Sequence, residues 1–482
     1  MESISNSDVS KWKRSIGSFI LKSHNISGRY IALLAMASIF LDIYNYFSFS
    51  FVTFSFVKVF PVASSNSVLF GLTLTAVNIG AAIGTIAGGF FTDKFGRKIM
   101  FMVNMSVFMV MAVISALSTN FWEFTVSRII LGFALGADIP TGMAYLFEFL
   151  DDDTRMKYTF LNWNSGWGFI PVVTVALIFL VSAGTGFTGV GSLLIWRIIL
   201  GLGAIFAFVI LLLRSRLPES ALWLAHNGNF KKAKEVLKKV YNKDFEEIPN
   251  VDLSGREKKK VGQILFGAFR VNRTANRVYA HAFLLSFLVS MVFWGFGFYV
   301  PEIIFALHFG STVPQRLLLE AAIFSGMIIS GIVAAPLNRL MGIKQMTVTF
   351  SFIVAFIFLL LYITALGMLP KILFLPLAFL VMFALMAGPG SFFATLNPVV
   401  PAEYRGTING WAYTINKITA VFAGIYGAVI YNSLGLAGNS LFMLIMVLIV
   451  SVIIVVIGVN TKKVDITRLQ DEEAPLPVGG AK

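Results

Sequence analysis

Apolar residues in this chain come in long unbroken runs, not in the strict alternation of a half-buried strand. The runs fall at 29–51, 67–91, 99–118, 122–147, 159–182, 193–213, 278–301, 317–337, 345–366, 372–396, 409–431 and 437–459. At 1.5 Å per residue each makes a helix about 30 Å long, the thickness of a bilayer's hydrocarbon core. Strands of a membrane barrel would alternate and be about half as long. The pattern predicts an all-α polytopic membrane protein of twelve transmembrane helices. Most polar stretches between the runs are short; the long one is 214–277. Inside it, 219–240 carries helical periodicity interrupted at Gly228-Asn229, which predicts an amphipathic helix with a break.

The runs on either side of that stretch echo each other. GGFFTDKFGRK, from Gly88 to Lys98, has a counterpart in GIVAAPLNRLMGIKQ, from Gly331 to Gln345, with Asp93 and Asn338 245 residues apart. Arg155 and Arg405 form a second echo, 250 residues apart. The repeat predicts two pseudo-symmetric six-helix bundles: an arm at 1–28, a bundle at 29–213, a linker at 214–277, a bundle at 278–460 and a tail at 461–482. Duplicated halves around a midplane site are a common plan of secondary transporters.

Charge agrees with that plan. The chain has 38 Lys and Arg against 24 Asp and Glu, a net +14. The excess is local: 214–277 carries fifteen Lys and Arg against seven acids, and basic loops at Lys94, Arg97, Lys98 and at Arg155, Lys157 alternate with nearly uncharged ones. By the positive-inside rule both termini and 214–277 are expected in the cytoplasm, with the protein spanning the cell membrane. This accounts for the basic balance without nucleic acid. Only 13% of residues are charged and 57% are hydrophobic, too little polar surface for a water-soluble enzyme. With no Cys and four scattered His, no metal or other cofactor is expected. No GxxxxGK[ST] loop is present, so ATP is not expected as a partner, and neither a nucleophile–base pair nor a metal cluster suggests catalysis.

Ionisable residues inside the runs point to function, because charge at membrane depth is costly. Asp42 lies well inside the first run, Arg128 and Asp138 lie in the fourth and Lys417 in the eleventh. Arg128 and Asp138 are ten residues apart, about 15 Å along a helix and some 80° around it, so both can border one cavity. A carboxylate whose cationic partner moves away changes protonation, which is the physics of proton coupling. Asp42 paired with Arg128 is the expected coupler, with Asp138 beside them. Asn162 and Asn164 in the fifth run, Trp294 in the seventh, and Asn409, Trp411, Tyr413, Asn416 and Lys417 in the eleventh, are the candidate substrate contacts. At the tight turn after the second run, Gly89, Asp93, Gly96 and Arg97 read as a conformational latch, with Gly96 giving the turn.

The string Gly89-x-x-x-Asp93-x-x-Gly96-Arg97-Lys98 resembles the GxxxDxxGRR signature of the major facilitator superfamily. The run from Arg128 through Gly132 and Gly136 to Glu148 and Arg155 resembles a second signature, and Leu217–Leu224, LPESALWL, resembles the PESPRWL of its branch of sugar porters, phosphate:proton symporters and organic-ion carriers. The resemblance covers 28–460. It implies alternating access without a cofactor, a first-span Asp and a fourth-span Arg in proton coupling, and Glu148, Arg155 and Arg405 in the latch. Departures shape the substrate reading. Gly136-Ala137-Asp138-Ile139-Pro140 resembles the phosphate symporters' GGDYP but lacks its Tyr, and Ser286, Ser290 and Trp294 stand where those carriers have Trp, Asp and Tyr. The seventh run also lacks the Gln pair of sugar porters. With Lys417 among the polar candidates, the expected substrate is a small organic anion, a carboxylate or aromatic acid, moved with a proton by a monomer; inorganic phosphate or a sugar or polyol are the alternatives.

Overall fold

The computed structural model describes residues 34, 37–62, 67–149, 160–241, 269, 273–396, 399–400 and 405–459. Among them the regular elements are all helical. The first half of the chain supplies α1 (Ala37–Val59), α2 (Ser67–Phe95), α3 (Arg97–Leu117), α4 (Phe121–Phe149), α5 (Gly166–Thr185) and α6 (Ile195–Ser215), with a π turn at Phe160–Ser165 leading into α5. Two short helices follow, α7 (Ala221–His226) and α8 (Phe230–Tyr241). The second half supplies α9 (Arg273–Gly295), α10 (Val300–Ala306), α11 (Val313–Met341), α12 (Ile343–Ala365), α13 (Phe374–Ala387) and α14 (Phe392–Leu396). A last helix, Arg405–Ile457, bends at Gly435, where φ is 64°, into two arms: α15 (405–434) and α16 (436–457).

Ten of the described segments are long and apolar enough to cross a membrane. Their outer faces carry exposed Leu, Ile, Val and Phe, such as Leu180, Phe208, Ile332 and Val456, as lipid contact requires. The expected amphipathic segment is present and breaks at the expected place. Gly228 takes φ 78° between α7 and α8, and α8 buries Ala233, Leu237 and Val240 while exposing Lys231, Lys232, Lys238 and Lys239.

Packing within the halves follows small residues. Gly80 and Gly84 of α2 face Ile129 and Phe133 of α4; a Cβ at Gly80 would stand 1.8 Å from the Ile129 carbonyl oxygen. Gly132 and Gly136 of α4 return the contact on Val77 and Ala81. The two backbones touch directly, which is how apolar helices gain packing energy where no water drives them together. The contact pattern repeats: α2 packs on α4 as α11 packs on α13, and α1 packs on α5 as α9 packs on the last long helix. Two seams join the halves, α2 against α15 and α5 against α11.

The repeat also fixes a register. Gly96 (φ 100°) joins α2 to α3, and Gly342 (φ 81°) joins α11 to α12. With ψ near 158° both lie in a region that a Cβ forbids. Gly96 N–H bonds the Thr92 carbonyl and Gly342 N–H bonds that of Asn338. Asn338 is thus the counterpart of Thr92, and Arg339, not Asn338, occupies the position of Asp93.

Candidate functional site

Asp42 and Tyr46 stand one helical turn apart on α1, and Tyr413 and Lys417 one turn apart on α15. Residues at i and i+4 share a helix face, so each helix presents a polar pair. The two pairs meet across the midline and interlock. Tyr413 Oη donates to Asp42 Oδ2. Lys417 Nζ donates to Tyr46 Oη at 2.8 Å and lies 3.5 Å from Asp42 Oδ2. The ammonium also sits over both phenol rings, 4.4 Å from the Tyr46 centroid and 4.3 Å from that of Tyr413, a favourable cation–π arrangement when desolvated. All four side chains are buried.

Aromatic rings enclose this cluster. Toward the face that carries α7 and α8, Trp163 lies 5.8 Å from Tyr413 and edge-on to Phe392 and Phe393. Toward the opposite face, Trp294 meets Tyr46 at 4.8 Å, and Trp167 stacks on Tyr46 at 6.3 Å. Several buried polar atoms here have no hydrogen-bond partner: Asp42 Oδ1, Asn45 Nδ2, Trp163 Nε1, Trp167 Nε1 and Ser391 Oγ. Ser391 follows the Gly388-Pro389-Gly390 break between α13 and α14, which contacts the π turn carrying Trp163. Unpartnered buried polar groups are rare in folded proteins, and a cluster of them suits a ligand.

The expected Asp42–Arg128 pair is not formed. Arg128 reaches α1 one turn further on, donating to Asn45 Oδ1 and, at 3.1 Å, to the Asn45 carbonyl. Its guanidinium packs over Phe49 and Phe124 at 5.3 and 5.8 Å. Asp138 meets partners other than those of Arg128. It is paired with Arg214 of α6 at 2.8 Å, both side chains fully buried, and Asn104 Nδ2 approaches its other oxygen at 3.5 Å. Arg214 continues to the Leu34 carbonyl and over the Phe101 ring. One fourth-span charge thus serves the centre and the other braces α1, α3, α4 and α6 nearer their loop end.

Of the expected substrate contacts, Tyr413, Lys417 and Trp294 belong to the central cluster. Asn416 and Asn164 are spent on backbone: Asn416 Nδ2 donates to the Ser286 carbonyl at 3.2 Å and Asn164 Nδ2 to the Met386 carbonyl at 2.7 Å. Ser286 and Ser290 donate to the carbonyls of Ala412 and Asn416, tying α9 to α15. Asn409 is buried and Trp411 half-buried on the same helix. The side chains of Asp93, Glu148, Asn162 and Arg405, and all of Arg155, lie outside the described residues.

At the turn, Arg97 is buried and Gly89 sits within α2. Glu219, from the polar stretch after α6, docks on the start of α3. Its carboxylate accepts from the N–H groups of Arg97 at 2.9 Å and Lys98 at 3.2 Å, where the helix dipole favours negative charge. A Cβ on Gly96 would lie 2.5 Å from Glu219 Oε2, so the glycine is needed for close approach as well as for its φ. Burial raises the Glu219 carboxyl above its ordinary value, partly offset by those N–H donors and by Arg97. Tyr145 Oη of α4 bonds the Pro218 carbonyl at 2.6 Å and completes this junction. Among the described residues no three His, Cys, Asp or Glu side chains stand together as metal ligands.

A family profile described as sugar (and other) transporter matches residues 31–472. The chain belongs to that family. Members of that family are described as transporters, and the chain has the major facilitator fold. The chain aligns with the major facilitator proton:xylose symporter XylE bound to 6-bromo-6-deoxy-D-glucose over 92% of its length and 98% of that chain, with a TM-score of 0.74 at 19% identity. Curated relatives include the arabinose-proton symporter of Escherichia coli (strain K12), 27% identical over 246 residues, 51% of this chain and 50% of that protein. The D-xylose transporter of Levilactobacillus brevis is 34% identical over 167 residues, 35% of each chain. The chain therefore matches about half or less of the length of these curated relatives.

Within this family member, Tyr46, Asn45, Arg214 and Glu219 are the site residues that sequence reasoning passed over. The signal for Tyr46 was available: D-x-x-x-Y in the first run and Y-x-x-x-K in the eleventh each place two polar groups on one helix face.

Proposed function

We propose that this chain is a proton-coupled symporter of a neutral polyhydroxylated solute, a sugar or polyol. The supporting observation is the aromatic box with unpartnered indole N–H groups at Trp163 and Trp167 and an unpartnered Ser391 hydroxyl around the central cluster. Indole faces suit the C–H faces of a sugar ring, and N–H and O–H donors suit its hydroxyls. Lys417 supported an anion only while it stood unpaired in the reading; with its charge spent on Asp42 and two phenol rings, an anionic substrate has no free cation in the cluster to meet. The family match and relatives described as arabinose-proton, xylose and glucose transporters point the same way.

In this reading Asp42 carries the proton, and the halves rock about the cluster with α7, α8 and both chain ends on the cytoplasmic side. The arm 1–28 and the tail 461–482 lie outside the described residues. Arg128 holds α1 beside Asp42, and Glu219 closes the cytoplasmic junction. The test uses the full chain in sealed liposomes holding a pH dye, with membrane potential clamped. Pentoses, hexoses, inositol, small carboxylates and phosphate are added one at a time. Internal acidification with a sugar or inositol is expected. Acidification with a carboxylate or phosphate, and none with any sugar, would return the reading to an anion carrier.

A further inference from the structure

The proton reading of Asp42 leaves open which cation sets its protonation, and the geometry answers from the other half of the chain. We propose that Lys417 of α15, and not Arg128 of α4, is the counter-ion of Asp42, so that protonation of Asp42 severs an ion pair between the two halves. This inference rests on the reading of Asp42 as the proton carrier.

Three observations carry it. First, Lys417 Nζ lies 3.5 Å from Asp42 Oδ2, whereas Arg128 is committed to the Asn45 side chain and carbonyl. Second, the carboxylate is used on one side only: Oδ2 accepts from Tyr413 and faces Lys417, while the buried Oδ1 has no partner. A proton therefore has a vacant oxygen on which to land. Third, Lys417 has places to go when the pair is lost, because Tyr46 Oη and both phenol faces already receive it.

The step balances simply. A hydronium ion supplies the proton: its O–H bond breaks as one forms at Oδ1, the carboxylate becomes a neutral acid and a water leaves. Tyr413 keeps its donation to Oδ2. Lys417 keeps its charge and its bond to Tyr46 but loses the anion that tied α15 to α1. The titratable or charged groups facing Asp42 are Tyr46 on its own helix, Tyr413 and Lys417 on α15, and Arg128 on α4. Neighbouring α5 and α9 present Trp167, Phe293 and Trp294, which do not titrate. An attractive charge across the seam that a proton can cancel makes the closed arrangement depend on Asp42's protonation. Asp42–Arg128 pairing would act inside one half and leave the seam untouched.

Infrared difference spectroscopy on the full chain in lipid tests this without a substrate. Acidification should produce a protonated-carboxyl C=O band that Asp42→Asn lacks. In Lys417→Met the band should appear at a pH higher by about 1–3 units, the effect of removing an adjacent cation. Lys417→Arg should restore the original midpoint and covers the case in which Lys417→Met fails to fold. Arg128→Gln should move the midpoint less than Lys417→Met does. A midpoint unchanged in Lys417→Met, or moved more by Arg128→Gln, overturns the proposal. A correct spectroscopic result with no proton-linked uptake of any solute would instead strike the symport reading and leave the counter-ion assignment standing.

Discussion

Two buried ion pairs in this molecule do opposite things. Asp138 and Arg214 lie within one half, and their polar positions are filled: 2.8 Å between the charges, Asn104 on the second oxygen, Leu34 and Phe101 on the guanidinium. Asp42 and Lys417 lie across the seam, 3.5 Å apart, with one carboxylate oxygen unpartnered. A buried pair repays its desolvation only when its remaining hydrogen-bonding positions are filled. The first pair meets that condition and fits a static brace. The second does not, and its open oxygen is what a group that must change protonation requires. Burial and charge type are the same in both; satisfaction and location differ.

The largest expected effect would break the comparison outright. Asp42→Asn should abolish solute accumulation driven by a pH gradient while counterflow exchange survives; Asp138→Asn, where it folds, should accumulate normally. Liposome uptake of both variants decides it, and the reverse result would exchange the roles of the two pairs. Next is stability. Arg214→Met leaves the Asp138 carboxylate buried without its cation and should cost about 3–5 kcal/mol, part of it recovered in Asp138→Asn/Arg214→Met. Thermal unfolding in detergent reads this, and additive losses in the double variant would deny the brace.

A smaller effect concerns the solute. Trp163→Phe keeps the ring and deletes the N–H, and the loss of one hydrogen bond of about 0.5–1.5 kcal/mol should raise KM roughly 2- to 12-fold with kcat little changed. An unaltered KM would remove Trp163 from the binding box. Smallest is Glu219, a half-buried carboxylate that lies outside the membrane spans. Burial raises its protonation range, so the docked junction binds a proton more tightly than a water-exposed Glu219 would. Its contribution to stability is therefore greatest at low pH and is lost as pH rises through the raised value. The melting temperature of the wild type relative to Glu219→Gln should fall as pH rises, and a constant difference would mean that the carboxyl does not titrate at the junction.

Much of the scaffold was legible along the chain. The apolar runs give the spans because a bilayer demands a fixed helix length. The break of the amphipathic segment at Gly228 was readable because only glycine adopts its φ of 78° cheaply. The turn at Gly96 was readable for the same reason; its counterpart at Gly342 shifts the register between the halves, with Arg339 in place of Asn338 opposite Asp93. Asp42, Arg128, Asp138 and Lys417 each stood out as a charge at membrane depth. Their partners did not, because any of the four could neutralise another and nothing in local spacing ranks partners in different spans.

By itself, then, the sequence determined what is local or additive. Span length, the Gly turns, the amphipathic helix and the identity of the expensive buried charges follow from hydrophobic patterning and backbone sterics. The tertiary structure alone decided which charges meet. Asp42 and Lys417 are 375 residues apart, and their pairing depends on side chains of α1 and α15 reaching each other between the two halves. That geometry changed the chemistry of Lys417 from a free cation, which asks for an anionic solute, to an internal counter-ion. It also left unpartnered N–H and O–H groups among the surrounding rings, a vacancy that no residue's neighbours in sequence could reveal.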